Sequence, residues 1–503
     1  MRKQIKNIIC ATLILILALA LLYSCGAEET AKTDGKPDAL PGQGDETEEE
    51  ESVEAGGGKL PFEPVLMDLG GRKFTFGDCG WGAEVTSEQR CVLAEEITGE
   101  PINDSVFERN ATIEDMFNCT VAEMKYSDPG QLLSGLRKSI TAGDGQFDAA
   151  YIRLSGHLGP LASSSALYDL NQLPNIDLTQ PWWDQNILNQ TSIAGRVFAA
   201  NGDIQILDKG AINAFVFNKQ LQADYQIKSF YGLVKDGQWT FEKMLEIARQ
   251  ISVDLNGDGK MDDNDRYGLL YYRDSIPAFL TATDSYIASK DDEDMPIMTF
   301  NTEKVYSALD TIYEVIYDES VAYHTMRAFG DSGFIIEGNR MFQNSQALLM
   351  YVRMTEIEGL RGMDTDFGIL PFPKYDTNQE KYYSLVNASI GSALVVPVTV
   401  NPEETGALLD AMAYTSRYTL IPAYYEVTLK GKISRDDDSE AMLNIIFSNM
   451  TYDLGGVYDF GGIVGELMYH TMTFKRTMAS FYEKNEPRAL RDIDKLVTSI
   501  LGD

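Results

Sequence analysis

Twelve consecutive residues, Asp254-Leu255-Asn256-Gly257-Asp258-Gly259-Lys260-Met261-Asp262-Asp263-Asn264-Asp265, put oxygen-bearing side chains at loop positions 1, 3, 5, 9 and 12. That spacing suits a hard cation. Calcium takes six to eight oxygens, and a loop of this length wraps one ion with a glycine at the sharp bend. The ligand set would be Asp254, Asn256, Asp258, the backbone carbonyl of Lys260, Asp262 and Asp265, with Gly259 at the bend. The departure is Asp265, because the last position usually carries a longer glutamate that ligates through both oxygens. The competing reading is a solvated acidic turn, since Asn, Asp and Gly favour turns in any case. A helical pattern precedes the loop and a strand pattern follows it, so a bound calcium would brace a surface turn and would not drive a helix pair open.

Other chemistry is weakly represented. The three histidines, His157, His324 and His470, are far apart, and neither a zinc-type HExxH nor a GxSxG nucleophile elbow occurs. Seventy-six acids make carboxylate pairs easy to imagine, but no motif singles out two of them for glycoside hydrolysis. The acids outnumber 42 basic residues and give a net charge of −34. That excludes a nucleic-acid binder, which needs a basic face for phosphates, and simple electrostatic adhesion to anionic lipid. With 503 residues, 44% hydrophobic and 23% charged, the chain is a globular protein of more than one domain.

The elements that would carry a site alternate between α and β. Lys73–Phe76, Cys119–Met124 and Phe147–Ile152 read as strands, separated by helical patterns over Ser105–Phe117 and Pro129–Ile140. Strands alternating with helices indicate βαβ units and a largely parallel sheet. Further strands are read at Arg196–Ala200, Ala214–Asn218 and Arg266–Tyr272. Trp239–Ile251 is the clearest helix: Phe241, Met244, Leu245, Ala248 and Ile251 share one face, with Thr240 as N-cap. Trp239 then reads as a structural staple on that helix and not as a ligand contact. Glu303–Tyr317 is amphipathic, and Asn401-Pro402-Glu403-Glu404 opens another helix.

The N-terminus supplies an address. Arg2, Lys3 and Lys6 precede an apolar run from Ile8 to Leu22, too short to span a bilayer and of the length of a secretory signal. Leu22-Tyr23-Ser24-Cys25 resembles the bacterial lipobox, with Tyr23 in place of the usual small residue. On this reading residues 1–24 are a signal peptide and Cys25 is lipid-modified. Residues 25–58 follow as an acidic linker. Gly26 to Gly58 holds eleven acids, two lysines and no aromatic residue, a self-repelling tether that cannot fold alone. Cys79, Cys91 and Cys119 remain for the body. Cys79 and Cys91 could bridge. Buried free thiols are the preferred reading, because unpaired cysteine behaves as a small core hydrophobe.

Several segments in order resemble the extracellular solute-binding proteins, family 1, the receptors of ABC importers. They are Phe147-Asp148-Ala149-Ala150-Tyr151, Leu167-Tyr168-Asp169-Leu170, Gly195-Arg196-Val197-Phe198-Ala199-Ala200 and Ala214-Phe215-Val216-Phe217-Asn218-Lys219. Trp239–Leu245 with the acidic loop and Asp265-Arg266-Tyr267-Gly268-Leu269 follows, then Phe367-Gly368-Ile369-Leu370-Pro371-Phe372-Pro373. Together they run from about residue 70 to 430. Trp182-Trp183-Asp184 and Ile421–Glu426 resemble a clostridial-type lipoprotein branch of the same family.

The resemblance implies an α/β, two-lobe periplasmic-binding-protein-like fold of type II, closing by a hinge around its ligand. Crossings are expected near 203–213, 349–353 and 416–420. Lobe one would be 70–205 plus 353–416, and lobe two 213–349 plus 420–503. A sugar cleft asks for aromatic faces and for charged or amide groups to meet hydroxyls. Candidate ligand contacts are Trp81, Arg153, Asp208, Tyr351, Arg353 and Asn387, each near a strand end or crossing. Function is then expected to be non-catalytic capture of a small molecule, an oligosaccharide first, for ABC permease subunits. The protein would be a monomer on the extracellular face of the bacterial cytoplasmic membrane, held through its lipid anchor alone and binding no nucleic acid. The alternative is an accessory protein of a surface sensor, or a calcium-braced surface scaffold.

Overall fold

Alternation in Lys73-Phe74-Thr75-Phe76 buries both phenylalanines, and β1 (Lys73–Asp78) follows that pattern. The structure, a computed structural model, describes residues 59–79, 91–360, 362–426, 437–473 and 477–502. By its contacts the chain divides into Met1–Lys59 and Leu60–Asp503, and every element below belongs to the second part. The signal segment, Cys25, the acidic linker and Trp81 lie outside the described residues.

β2 (Thr120–Lys125) and β3 (Ala149–Arg153) flank β1 and run parallel to it. Two helices make the crossovers, Pro101–Phe117 and Pro129–Ala142. Each has proline in its first turn, and a side-chain carboxylate of Glu100 or Asp128 accepts from a first-turn N–H. Acceptors at that position satisfy backbone donors the helix itself leaves unpaired. A later strand, β12 (Ser392–Val395), joins the other side of β3 antiparallel, giving the order β12–β3–β1–β2.

The second sheet has the order β10–β4–β9–β5–β8. Its members are β4 (Asn213–Asn218), β5 (Tyr267–Tyr271), β8 (Ala322–His324), β9 (Ala347–Arg353) and β10 (Phe367–Leu370). β5 is parallel to β8 and β9, whereas β4 is antiparallel to β9 and β10. Both sheets are therefore mixed, where the sequence pattern suggested a largely parallel one. The difference lies in the strands that return late in the chain. β4 and β9 are buried along their whole length, as their unbroken apolar runs require.

The helix Phe241–Ile251 forms as its periodicity demands. Thr240 Oγ1 accepts from Lys243 N at 3.2 Å, and Phe241, Met244, Leu245, Ala248 and Ile251 are buried. It lies so close to β5 that a Cβ on Gly268 would meet the Ala248 carbonyl at 2.4 Å, so no larger residue fits there. Two short pairs complete the strands: β6 (Ala288–Lys290) with β7 (Pro296–Met298), and β11 (Ser384–Leu385) with β13 (Met450–Thr451).

Three readings from sequence are corrected. Arg196–Ala200 is not a strand but carries isolated bridges, Arg196 to Ile193 and Ala200 to Leu394. Leu349–Arg353 is no crossing. It lies within β9 at the centre of the second sheet, and β10 follows in the same sheet, so residues 353–370 belong there. The return to the first sheet falls between β10 and β12. Helix Leu420–Tyr425 packs on helix Pro101–Phe117 of the first sheet's layer, so that layer extends past residue 420.

Candidate functional site

Around the passage between the two sheets, four stretches of chain are tied together by backbone hydrogen bonds. Leu154 N donates to Gly391 O at 3.0 Å and Ser155 N to Ala388 O at 2.9 Å. Asn387 N donates to Ala211 O at 3.0 Å and Met354 N to Ile212 O at 2.9 Å. Asn213 stands opposite Arg353 in the ladder, and Ile212 bridges Val386. This hinge joins the end of β3, the start of β4, the end of β9 and the segment before β12. Five of the six residues proposed from sequence, Arg153, Asp208, Tyr351, Arg353 and Asn387, are placed on or beside it. The sixth, Trp81, lies outside the described residues.

Their side chains are not equally available. Tyr351 is buried and donates to Asn213 Oδ1 at 2.6 Å. Arg353 is buried as well, with its Nε on Glu356 Oε1 at 2.7 Å and Nη1 3.7 Å from Asp274 Oδ2. Both are committed to protein partners because β9 is the central strand of its sheet. Asp208 is fully buried, with Oδ1 accepting from Lys209 N at 2.8 Å and Oδ2 unpartnered among the described residues. Burial pushes its carboxyl up to about 6, against the pull of the Lys209 ammonium. Arg153 is half-buried at the end of β3. Its charge acts on His157, which burial first and then Arg153 and Arg137 bring down to about 4, so that this imidazole is neutral at pH 7.

Asn387 lines a cavity of about 30 Å³ with Asp274, Ser389, Asp453, Val464 and Met468. That is room for about one water molecule. Its polar groups converge from three directions. Asp274 follows β5, Asn387 and Ser389 come from the hinge, and Asp453 follows β13. Burial pushes the Asp453 carboxyl up to about 6, while the N–H groups of Ile287 and Gly455, each at 2.8 Å, hold it in place. Burial likewise raises Asp274, opposed by Arg353 and Arg273. The cavity thus gathers two desolvated carboxylates and an amide beyond strand ends. Sequence reasoning missed Asp274, Asp453 and His157. Asp274 had a usable signal, because Arg273-Asp274 directly follows the C-terminal end of a parallel strand. Asp453 and Ser389 had none.

The remaining tryptophans are structural. Trp182 and Trp183 both direct Nε1 at Asp410 Oδ1, at 2.7 and 2.9 Å, and Trp239 Nε1 donates to Pro371 O at 3.0 Å. Cys79, Cys91 and Cys119 are buried and form no disulfide with one another; burial pushes the Cys79 thiol up to about 12 and the Cys119 thiol up to about 11.

In the acidic loop, Asp254 accepts from Gly257 N at 2.7 Å and Gly259 N at 2.8 Å, and Asp258 accepts from Lys260 N at 2.9 Å. Asp265 is fully buried and accepts from Leu255 N at 2.9 Å and Asp262 N at 2.8 Å. Gly257 and Gly259 take φ of 72° and 80°, the left-handed region the bend needs. The donor set is all oxygen, which suits calcium. Among the described residues, however, no three His, Cys, Asp or Glu side chains are gathered as a metal group.

The sequence matches no family model, and no curated protein is detectably similar to it. Solved structures are similar over most of the chain. M. tuberculosis UspC superposes with a TM-score of 0.55 at 14% identity, over 84% of this chain and 100% of that one. A cyclo/maltodextrin-binding protein complexed with maltotetraose gives 0.53 at 12% identity, over 86% and 96%. A family 1 extracellular solute-binding protein from Bifidobacterium longum subsp. infantis gives 0.51 at 14% identity, over 86% and 100%. The chain has the two-lobe fold of the family 1 extracellular solute-binding proteins. In a two-lobe fold of this kind the crevice between the lobes is the place to look for a ligand.

Proposed function

We propose that the protein captures a small, neutral, hydroxyl-rich ligand, an oligosaccharide first among them, between its two lobes and releases it unchanged to an ABC permease. The observation that carries this reading is the hinge cavity in a solute-binding fold. Desolvated Asp274 and Asp453 line it together with Asn387. Hydroxyl groups donate and accept at once, so they satisfy carboxylates and amides together without bringing charge. Similar structures are of proteins bound to sugars, maltotetraose in one and α-D-tagatose in another. No step of bond making is part of the proposal.

Two further parts are supported by sequence. Cys25 is the lipid-bearing residue that would hold the receptor, as a monomer, at the extracellular face of a bacterial cytoplasmic membrane; fractionation of a Cys25→Ser chain reads this directly. Calcium in the Asp254–Asp265 loop would draw Asp254, Asn256, Asp258, the Lys260 carbonyl, Asp262 and Asp265 onto one ion as a structural brace.

The test of capture is a melting screen against mono- and oligosaccharides, followed by calorimetry. A ligand at a hundredfold excess over Kd should add about 2.7 kcal/mol of stability and be recovered chemically intact. Asp274→Asn should weaken it about tenfold, as expected for loss of a charged hydrogen bond. A flat screen, or a ligand returned cleaved, overturns the proposal.

A further inference from the structure

A second cavity, of about 670 Å³, shares no lining residue with the hinge cavity. It is bounded by helix Pro129–Ala142, helix Leu158–Ala162, the Tyr458–Phe460 turn and the C-terminal helix Met478–Leu501. Its volume is that of a pocket for a molecule of drug or disaccharide size. The walls meet closely: a Cβ on Gly159 would come within 2.9 Å of the Tyr458 carbonyl, and Ser499 Oγ donates to Ser163 O at 2.8 Å.

The lining is polar and electrically balanced. Arg137 and Lys495 bring two positive charges, and Asp459 and Asp492 bring two negative ones. Ser163 and Ser164 add hydroxyls. Asp492 Oδ2 is engaged with Gly461 N at 2.8 Å, whereas no hydrogen bond to the Asp459 carboxylate occurs among the described residues. Asp459 is held in the left-handed region, φ 52°, and burial together with Asp492 pushes its carboxyl up to about 6, against the pull of Arg488. Between Gly156 and Gly159, both on the groove wall, buried His157 Nδ1 has no partner among the described residues. Arg137, Asp492 and Lys495 are exposed and Asp459 is half-buried, and a groove with no excess of either sign favours neither kind of simple ion. A simple anion would meet two carboxylates and a simple cation two basic groups. A neutral polyol meets donors and acceptors of both kinds.

We propose that this groove is a second saccharide site, separate from the hinge cavity, in which Asp459 and Lys495 hydrogen-bond the hydroxyls of a neutral sugar. The ligand class rests on the reading of the hinge as a sugar cleft, but the groove's geometry does not. The Asp459 carboxylate accepts no hydrogen bond among the described residues, and Lys495 is an exposed donor on the C-terminal helix that packs against the same turn. Retention of a second sugar beside the cleft would raise the local concentration of ligand for the hinge.

The experiment is calorimetric titration of the full chain with glucose, maltose and maltotetraose, run on wild type, on Asp459→Asn with Lys495→Gln, and on Asp274→Asn. The groove pair is expected to lose one of two bound saccharides per chain, or to weaken binding about tenfold, the loss expected for removing charged hydrogen bonds. Asp274→Asn should leave that groove event in place. Melting curves of the groove pair no lower than wild type show that the loss is not one of folding. Wild-type binding that the groove pair leaves unchanged and Asp274→Asn abolishes overturns the groove and leaves the hinge site standing. Binding lost in the groove pair and indifferent to Asp274→Asn supports the groove and removes the hinge. A wild-type chain that takes up none of the three sugars overturns the groove.

Discussion

Asp410 holds two indoles at once, Trp182 at 2.7 Å and Trp183 at 2.9 Å, all three groups being buried. The pair was legible as a feature and not as an arrangement, because adjacency says nothing of a shared acceptor more than two hundred positions later. Asp410→Ala should strand two buried donors at about 1–3 kcal/mol each, and Asp410→Asn, which keeps an oxygen, should recover part of the loss in chemical denaturation. Asp459 gives a pH-dependent case. Its folded value, about 6, lies above the ordinary 3.8. The folded protein therefore holds more protons than the unfolded chain between about pH 4 and 6, and stability falls as pH rises through that window. Asn tolerates the left-handed backbone at this position. Asp459→Asn should match wild type below about pH 4, gain progressively to about pH 6, and stay about 1–3 kcal/mol ahead above it. A gap that is constant with pH would refute the assignment. Arg153 and Asn387 were readable from strand ends, whereas Asp453 takes its meaning from N–H groups of Ile287 and Gly455 brought to it by tertiary packing.

At the scale of elements, strong periodicity translated directly for the helices at 129–142, 241–251 and 303–316, whereas the helix read at 105–117 begins at Pro101, four residues earlier, behind the Glu100 cap. Arg196–Ala200 shows the limit, since an apolar run without a continuous partner leaves only single bridges. The β6–β7 hairpin was not anticipated at all, its strands being three residues each. It nonetheless reaches the segment after helix Gln185–Thr191. Asp294 accepts from Ser192 Oγ at 3.0 Å and Gly195 N at 2.8 Å, and Lys290 Nζ donates to Ser192 Oγ at 2.7 Å and to Asn189 O. On the lobe division expected from sequence this contact would join lobe one, at 189–195, to lobe two, at 290–294, so it should stabilise a closed arrangement. Asp294→Ala is expected to speed ligand release several-fold in stopped flow, with little change in association, because interface losses fall mainly on the off-rate. An unchanged off-rate would show that the hairpin does not latch.

For the whole molecule, the two-lobe architecture could be read because many weak segments occurred in the right order, while the crossings could not. Backbone pairing, which keeps 353–370 in the second sheet, leaves no local signature distinguishing one buried strand from a bridge between lobes. The calcium proposal also belongs here, since a loop brace acts on global stability. Calcium at a hundredfold excess over Kd should raise the unfolding free energy by about 2.7 kcal/mol. Asp254→Ala with Asp258→Ala should abolish the rise in melting temperature. A wild-type melt indifferent to EDTA and to added calcium would leave the loop as an acidic turn held by its own N–H groups.

The burial of Trp182, Trp183 and Trp239, each with its N–H engaged by a protein oxygen, has an optical consequence. Three of the four tryptophans emit from fixed, water-excluded surroundings and form a steady blue-shifted background. Trp81 is the fourth, and a sugar-dependent change in emission intensity or wavelength becomes a signal from one residue. A chain carrying Trp81→Phe supplies the blank for that spectrum, so the indole proposed for the cleft can be interrogated without attaching any dye.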